Sequence, residues 1–463
     1  MILRKYIGTK EFYKKVFVIT LPILVQQIIT NFVSLVDNIM VGQIGTEQMS
    51  GVAIVNQLIF VFNVCIFGGV SGAGIFTAQY FGKGDHKGVR ATFRAKVIIV
   101  SVMALICIGL FLLFDTELIS LFLHKGQDNL NLDKTLAFGK EYLAIMLWQI
   151  PLFALTSAYS GTLRETGRTV PPMVGGIVAV CVNIVLDYAL IFGVEFVGIP
   201  AMGIRGAAIA TVISRVCEFL VVVLWTHGNK DKNKFVVGAY KSFRIPKDLL
   251  FGILRKGFPL MLNEVLWSTG QAVLTQCYSV RGLEAVSALN ISSTVSNLFF
   301  CAYFAFGSAI SIIVGQLLGA GEIERAKDED RKLIFCAVAV CLFIGGVMAA
   351  LSPLFPQIYN TTDTVKDIAT KCLLISAAMM PFHGFIHTAY FTLRSGGKTV
   401  ITFLFDSVYV WVILIVAAFT LSRFTDIPIV PMYLIVQCLD IIKCVLGYIL
   451  VKKGVWAKNL VED

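Results

Sequence analysis

The feature that most constrains this chain is the recurrence, along its whole length, of apolar runs near 20 residues. "VIIVSVMALICIGLFLLF" at 97–114 and "LIVQCLDIIKCVLGYILV" at 434–451 are two of them. A helix needs about 20 mainly apolar residues to cross a bilayer core. Only helices and closed barrels can cross, because backbone groups must be paired where no water reaches. A barrel would show alternating polar and apolar residues, and these runs do not alternate. The sequence therefore predicts an all-α polytopic membrane protein. Composition agrees: 57% of residues are hydrophobic and 15% charged, against about a quarter charged in soluble domains.

Breaks at charged residues, Gly and Pro divide the runs into twelve predicted spans: 16–41, 51–81, 97–114, 137–163, 170–194, 203–226, 252–280, 285–318, 333–356, 369–393, 400–422 and 428–451. The first is read as a retained helix, since no small-residue cleavage site follows it. Lys and Arg then set orientation. The N-terminus and alternate loops, including 82–96, 227–256 and 319–332, hold 29 of them. The opposite loops hold seven: Lys125, Lys134, Arg205, Arg281, Lys366, Lys371 and Arg423. The positive-inside rule then places both termini in the cytoplasm. The formal charge of +10 thus reports topology, and no nucleic-acid partner is expected. All eleven Cys lie in apolar stretches without a CxxC pair, so neither a disulfide framework nor a zinc site is predicted.

The two halves repeat. At a shift of 237, Pro22 meets Pro259, Gly45 meets Gly282, Gln79 meets Gln316, and Gly82 meets Gly319. At a shift of 230, Pro151 meets Pro381 and "TLRETGRTV" meets "TLRSGGKTV" with six identities in nine. Six spans per repeat keep the same orientation, so the fold expected is two pseudo-symmetric six-helix bundles related by an axis along the membrane normal. We assign an N-lobe to 1–228, a linker to 229–256 and a C-lobe to 257–463. Two such bundles leave a cleft between them, suited to alternating access.

A carboxylate at a helix centre costs about 2.5–3.5 kcal/mol on insertion scales and needs a reason. Counting about 1.5 Å per residue brings Asp37, Asp187 and Thr211 to a similar depth, with Asn183 one turn from Asp187. Two carboxylates, an amide oxygen and a hydroxyl suit a hard cation such as Na+. They equally suit a proton, because adjacent carboxylates repel unless something positive lies between them. A polar cluster that only packs helices is the alternative. Arg215 with Glu218, and Asp440 with Lys443, stand three residues apart and are expected to form ion pairs within a helix or across the bundles. Glu264, His383 and Asp406 are candidates for a C-lobe or substrate-cleft site. Asp406 has no sequence-adjacent partner; it is expected either to face the cleft, where it would attract cationic substrates, or to hydrogen-bond to a neighbouring helix. His387 shares the tenth span with His383. Pro22 and Pro259 fall inside their spans and can kink them. Gly68, Gly72 and Gly74 permit close helix approach.

The stretches "LPILVQQIITNFVSLVDNIMVGQIG", "AQYFGKGD" with its echo "GQLLGAGE", "TLRETGRT" and "VNIVLDYALIF" followed by "GIRGAAIATVIS" together resemble the multidrug and toxic compound extrusion (MATE) family, in its bacterial NorM/DinF-like branch. The resemblance covers nearly the whole chain. It implies a cell-membrane antiporter, without cofactor and monomeric, that exports organic and often cationic small molecules against Na+ or H+. It implies a cation site on Asp37, Asn183, Asp187 and Thr211. In the C-lobe, relatives of the NorM type use an acidic pair. Glu264 matches the first acid, but His383 stands where the second belongs. The alternative is a flippase for lipid-linked precursors, which calls for a basic cleft; the in-span charges here are mostly acidic. No HExxH, nucleophile elbow or phosphate loop marks an enzyme.

Overall fold

The computed structural model describes residues 5–122, 132–194, 198 and 200–462. Lys125 and Arg4, both used in the charge count, lie outside them. Among the described residues the long elements are all helical: α1 (Lys10–Gly42), α2 (Thr46–Lys83), α3 (His86–Leu113), the short α4 (Asp115–Ser120), α5 (Leu132–Met146), α6 (Gln149–Glu165), α7 (Val170–Phe192) and α8 (Ile204–Gly228). Then come α9 (Lys247–Ser279), α10 (Leu283–Gly319), α11 (Ile323–Leu351), α12 (Asp363–Ser395), α13 (Thr399–Phe403), α14 (Ile415–Phe424) and α15 (Ile429–Lys452). Ten helical stretches among the described residues are long and apolar enough to cross a membrane, and the α5–α6 pair makes an eleventh. The α9 helix does not meet that measure, because Asn263, Glu264, Ser268, Thr269 and Gln271 interrupt its apolar run. The all-helical, membrane-spanning class expected from the sequence is the one observed.

Two spans depart from simple rods. The fourth bends by 47° between α5 and α6. Pro151 then falls in the first turn of α6, where its missing N–H costs nothing. The eleventh runs from α13 to α14 through two π-helical turns, Leu404–Val408 and Val410–Leu414. Pro22, Pro259 and Pro381 all lie inside unbroken helices.

The chain divides into two compact units. One holds Val25–Thr77 and His86–Leu254. The other holds Arg255–Asp463 with the N-terminal stretch up to Leu24 and the Ala78–Asp85 corner. Helix α1 is thus split at Leu24, a division that the boundary drawn at 228 does not contain. In the first unit α7 packs along α8, and α6 lies against α3 and α8. In the second, α12 is central and packs against α10, α11 and α15. Its main core joins Val16, Ile19 and Ile23 of α1 to Ile310, Ile313 and Leu318 of α10 and to Leu393 of α12.

The repeated glycine motifs have a steric cause. The Gly82 and Gly319 backbones lie so close to their neighbours that a Cβ at Gly82 would overlap the Gln316 carbonyl, and one at Gly319 the Gln79 carbonyl. The repeat partners therefore meet each other, within one unit, and only a residue without a side chain fits. A Cβ at Gly74 would run into the Glu165 carboxylate, which pairs with the fully buried Lys96. None of the eleven cysteines forms a disulfide.

Candidate functional site

Two glycine contacts in the first unit prepare a polar site. At Gly206 of α8 any side chain would collide with the Leu190 carbonyl of α7. The two helices therefore touch backbone to backbone, one turn from Asp187 and just over one from Thr211. At Gly51 of α2 a Cβ would come within 2.9 Å of the Gly139 nitrogen and the Thr135 carbonyl of α5. That contact brings Asn56 toward Tyr142, each about one turn further along its helix.

Around these contacts the polar side chains converge. The carboxyls of Asp37, from α1, and Asp187, from α7, lie within hydrogen-bonding reach of each other. Asn183 lies one turn earlier on α7, beside the Asp187 carboxyl. Asn183 and Asp187 are buried, at 5% and 2% exposed. Tyr142 hydroxyl donates to Asn56 Oδ1 at 3.4 Å and is in reach of Thr211. Thr211 Oγ1 donates to its own helix, to the Ala207 carbonyl at 3.0 Å. Asp37 Oδ1, Asp187 Oδ1 and Asn183 Nδ2 are buried with no hydrogen-bond partner among the described residues. Buried polar atoms are nearly always paired, so two orphaned carboxylate oxygens side by side mark a place where a positive species fits. Arg215, one turn beyond Thr211, acts electrostatically on Asp37, but its guanidinium is held by Glu218 at 2.7 Å. The ion pair expected within α8 is therefore present.

The second unit is wired differently. Of the two settings expected for Asp406, a cleft-facing carboxylate and one bonded to a neighbouring helix, the bonded one is present: Lys443 Nζ donates to its Oδ1 at 2.6 Å and Asn263 Nδ2 to its Oδ2 at 3.1 Å. The sequence hid this because Lys443 comes from another helix, 37 residues on. The Lys443 ammonium also lies 5.3 Å from the Phe405 ring centroid. Asp406 itself sits in the first π-helical turn, a geometry common at functional positions. The Asp440–Lys443 pair expected on α15 does not form. Lys443 is taken by Asp406, and Asp440 Oδ2 lies 3.2 Å from His383 Nε2. The His387 ring stacks on Tyr303 at 4.2 Å. Glu264 is hydrogen-bonded by Tyr390 and lies near the Arg394 charge. Each of Glu264, His383 and Asp406 thus has its own bonded partner, and Asp406 also acts electrostatically on Glu264.

Sequence reasoning missed Tyr142, Asn56 and Asn263. Tyr142 and Asn56 could have been suspected from Gly51 and Gly139, small residues on two neighbouring spans. Asn263 sits beside Glu264 and could have been suspected from that neighbour.

Paired transmembrane helices, intramembrane carboxylates and an internal repeat define a secondary-transporter type of fold. Solved structures have the same fold. An outward-facing "multidrug resistance MATE family transporter of the MOP superfamily" aligns with a TM-score of 0.84, at 18% identity, over 95% of this chain and 96% of that one. The Vibrio cholerae MATE transporter VcmN, solved as a point mutant, aligns at 0.84 and 19% identity over 97% and 98%. In sequence, the chain is 25% identical to the probable multidrug resistance protein NorM of Thermotoga maritima, over 97% of this chain and 94% of that protein. It is 24% identical to the probable multidrug resistance protein YoeA of Bacillus subtilis, over 89% and 87%. The MatE family profile matches residues 22–189 and 259–420, both halves of the repeat. The chain belongs to the MatE family of multi-pass membrane transporters, and its members are not enzymes.

Proposed function

We propose that this protein is a secondary antiporter of the cell membrane that exports organic, often cationic, compounds in exchange for Na+ or H+. The observation that carries the reading is the contact of Asp37 with Asp187, whose Oδ1 atoms are both buried and unpartnered. Two anions in a low-dielectric site repel strongly, so occupancy by a cation or a proton is the stable condition. Asn183 and Thr211 complete the ligand set with an amide and a hydroxyl oxygen. Alternating exposure of such a site couples ion entry to substrate exit. The relatives named for multidrug resistance support drug-like cargo. The basic loops support an orientation with both termini in the cytoplasm, and we assign the lobes to 1–228 and 257–463, acting as a monomer. Glu264, His383 and Asp406 are assigned to the C-lobe, where they shape substrate binding.

The test is proteoliposome export of a fluorescent cationic dye under a Na+ gradient alone and then a pH gradient alone. Export driven by one of them, and lost in Asp37→Asn and Asp187→Asn, is the expected result. Dye movement by neither gradient, with a control transporter active in the same vesicles, overturns the reading.

A further inference from the structure

The connection between α8 and α9 is not a loose tether. Its backbone is clamped to the first unit by three arginines. Arg94 donates to the Ala239 carbonyl at 2.7 Å and to Gly238 at 2.8 Å. Arg90 donates to the Lys234 carbonyl at 3.3 Å and Arg168 to Lys232 at 3.4 Å. Asn233, 1% exposed, donates to the Thr226 carbonyl at 3.2 Å. Phe235, Val236 and Ala239 are buried, and the Phe235 ring packs on Phe93 of α3. One face of the segment is thus fixed to the protein.

The other face has a distinct chemistry. Lys230, Lys232, Lys234, Lys241, Arg244 and Lys247 are exposed, against Asp231 and Asp248. None of the six is paired with a described carboxylate. The 323–332 stretch contrasts with this, since Arg325, Lys327, Arg331 and Lys332 each lie against a carboxylate of their own helix. Between the free cations stand the exposed apolar side chains of Val237, at 48%, and Phe243, at 54%, while the ring of Tyr240 turns back to stack on His227. Cations interleaved with aromatic and aliphatic side chains, between the end of α8 and the start of α9, match the boundary of a negatively charged leaflet. There the charges meet headgroups and the apolar groups enter the acyl region.

We propose that residues 230–247 form a built docking surface for anionic phospholipid headgroups. The three-arginine clamp presents it rigidly, so little ordering is needed when lipid binds. Such a surface is independent of the coupling ion and takes from the transport reading only the orientation of the basic loops.

The test uses the full chain purified in a neutral detergent, with bound lipid counted by native mass spectrometry. Dioleoyl phosphatidylglycerol and dioleoyl phosphatidylcholine are titrated in parallel. The wild type is expected to retain the anionic lipid preferentially. The variant K232Q/K234Q/K241Q/R244Q should lose on the order of a hundredfold in that preference, since a gain of a few-fold per cation near an anionic surface compounds over four cations. The variant K327Q/R331Q/K332Q, whose cations are already paired, should keep it. V237S/F243S leaves every cation in place and should weaken retention by a few-fold through the lost apolar insertion. That variant carries the test if the fourfold variant fails to fold. Equal retention of both lipids by the wild type overturns the proposal, as does a fourfold variant that folds and keeps the preference. Displacement of the lipid by millimolar inorganic phosphate also overturns it, because the surface would then be a plain anion site. Lipid counts do not depend on transport, so failure here is distinct from failure of the antiport reading.

Discussion

Two carboxylate sites, one in each unit, are buried under opposite conditions. In the first, Asp37 and Asp187 face each other, and one oxygen of each has no described partner. In the second, Asp406 is held by Lys443 and Asn263, and Asp440 by His383. A compensated pair is complete and has little to gain from a visiting ion. An uncompensated pair is incomplete until something positive arrives. The internal repeat thus kept its helices and glycine contacts while the chemistry of these buried acids diverged.

The largest expected effect tests that asymmetry directly. Asp187→Asn should reduce gradient-driven dye export by at least about a hundredfold, read in proteoliposomes. Its thermal midpoint in detergent should stay level or rise, because a repulsion has been removed. A marked drop in the midpoint instead would mean that the carboxylate is structural. Lys443→Met should do the reverse and cost stability first. Leaving Asp406 without its cation is worth about 3–5 kcal/mol in a buried setting. The double variant Lys443→Met with Asp406→Leu should recover most of that loss in the same melting measurement. No recovery would show that the two residues are not a unit.

Smaller changes sharpen the picture. Gly206→Val forces α7 and α8 apart at Leu190 and should cost about 1–3 kcal/mol, with a higher cation concentration needed for half-maximal transport. Tyr142→Phe removes one hydrogen bond, worth about 1 kcal/mol, so that concentration should shift several-fold while the melting curve barely moves. An unchanged half-saturation would remove Tyr142 from the site. Lys371→Ala breaks only an exposed pair with Asp367, whose side chains are 53% and 58% exposed. Its effect should stay within about 0.5 kcal/mol.

Much of this was legible in the residues. The bilayer allows few backbone solutions, so apolar run length determined the class of fold, and the 237- and 230-residue shifts determined the twofold plan. Asp37, Asn183, Asp187 and Thr211 could be gathered by counting rise per residue, because long straight helices make sequence position a measure of depth. That same method failed where depth is not enough. It could not see that Lys443 turns to Asp406 rather than Asp440, since which face of α15 meets which neighbour depends on packing. Nor could it see Tyr142, whose helix bends by 47° at its end. Which cation each carboxylate receives, and which carboxylate receives none, was decided by tertiary structure alone. Electrostatic compensation acts across a few ångströms between helices, and those distances are set by side-chain packing that no single run of sequence encodes.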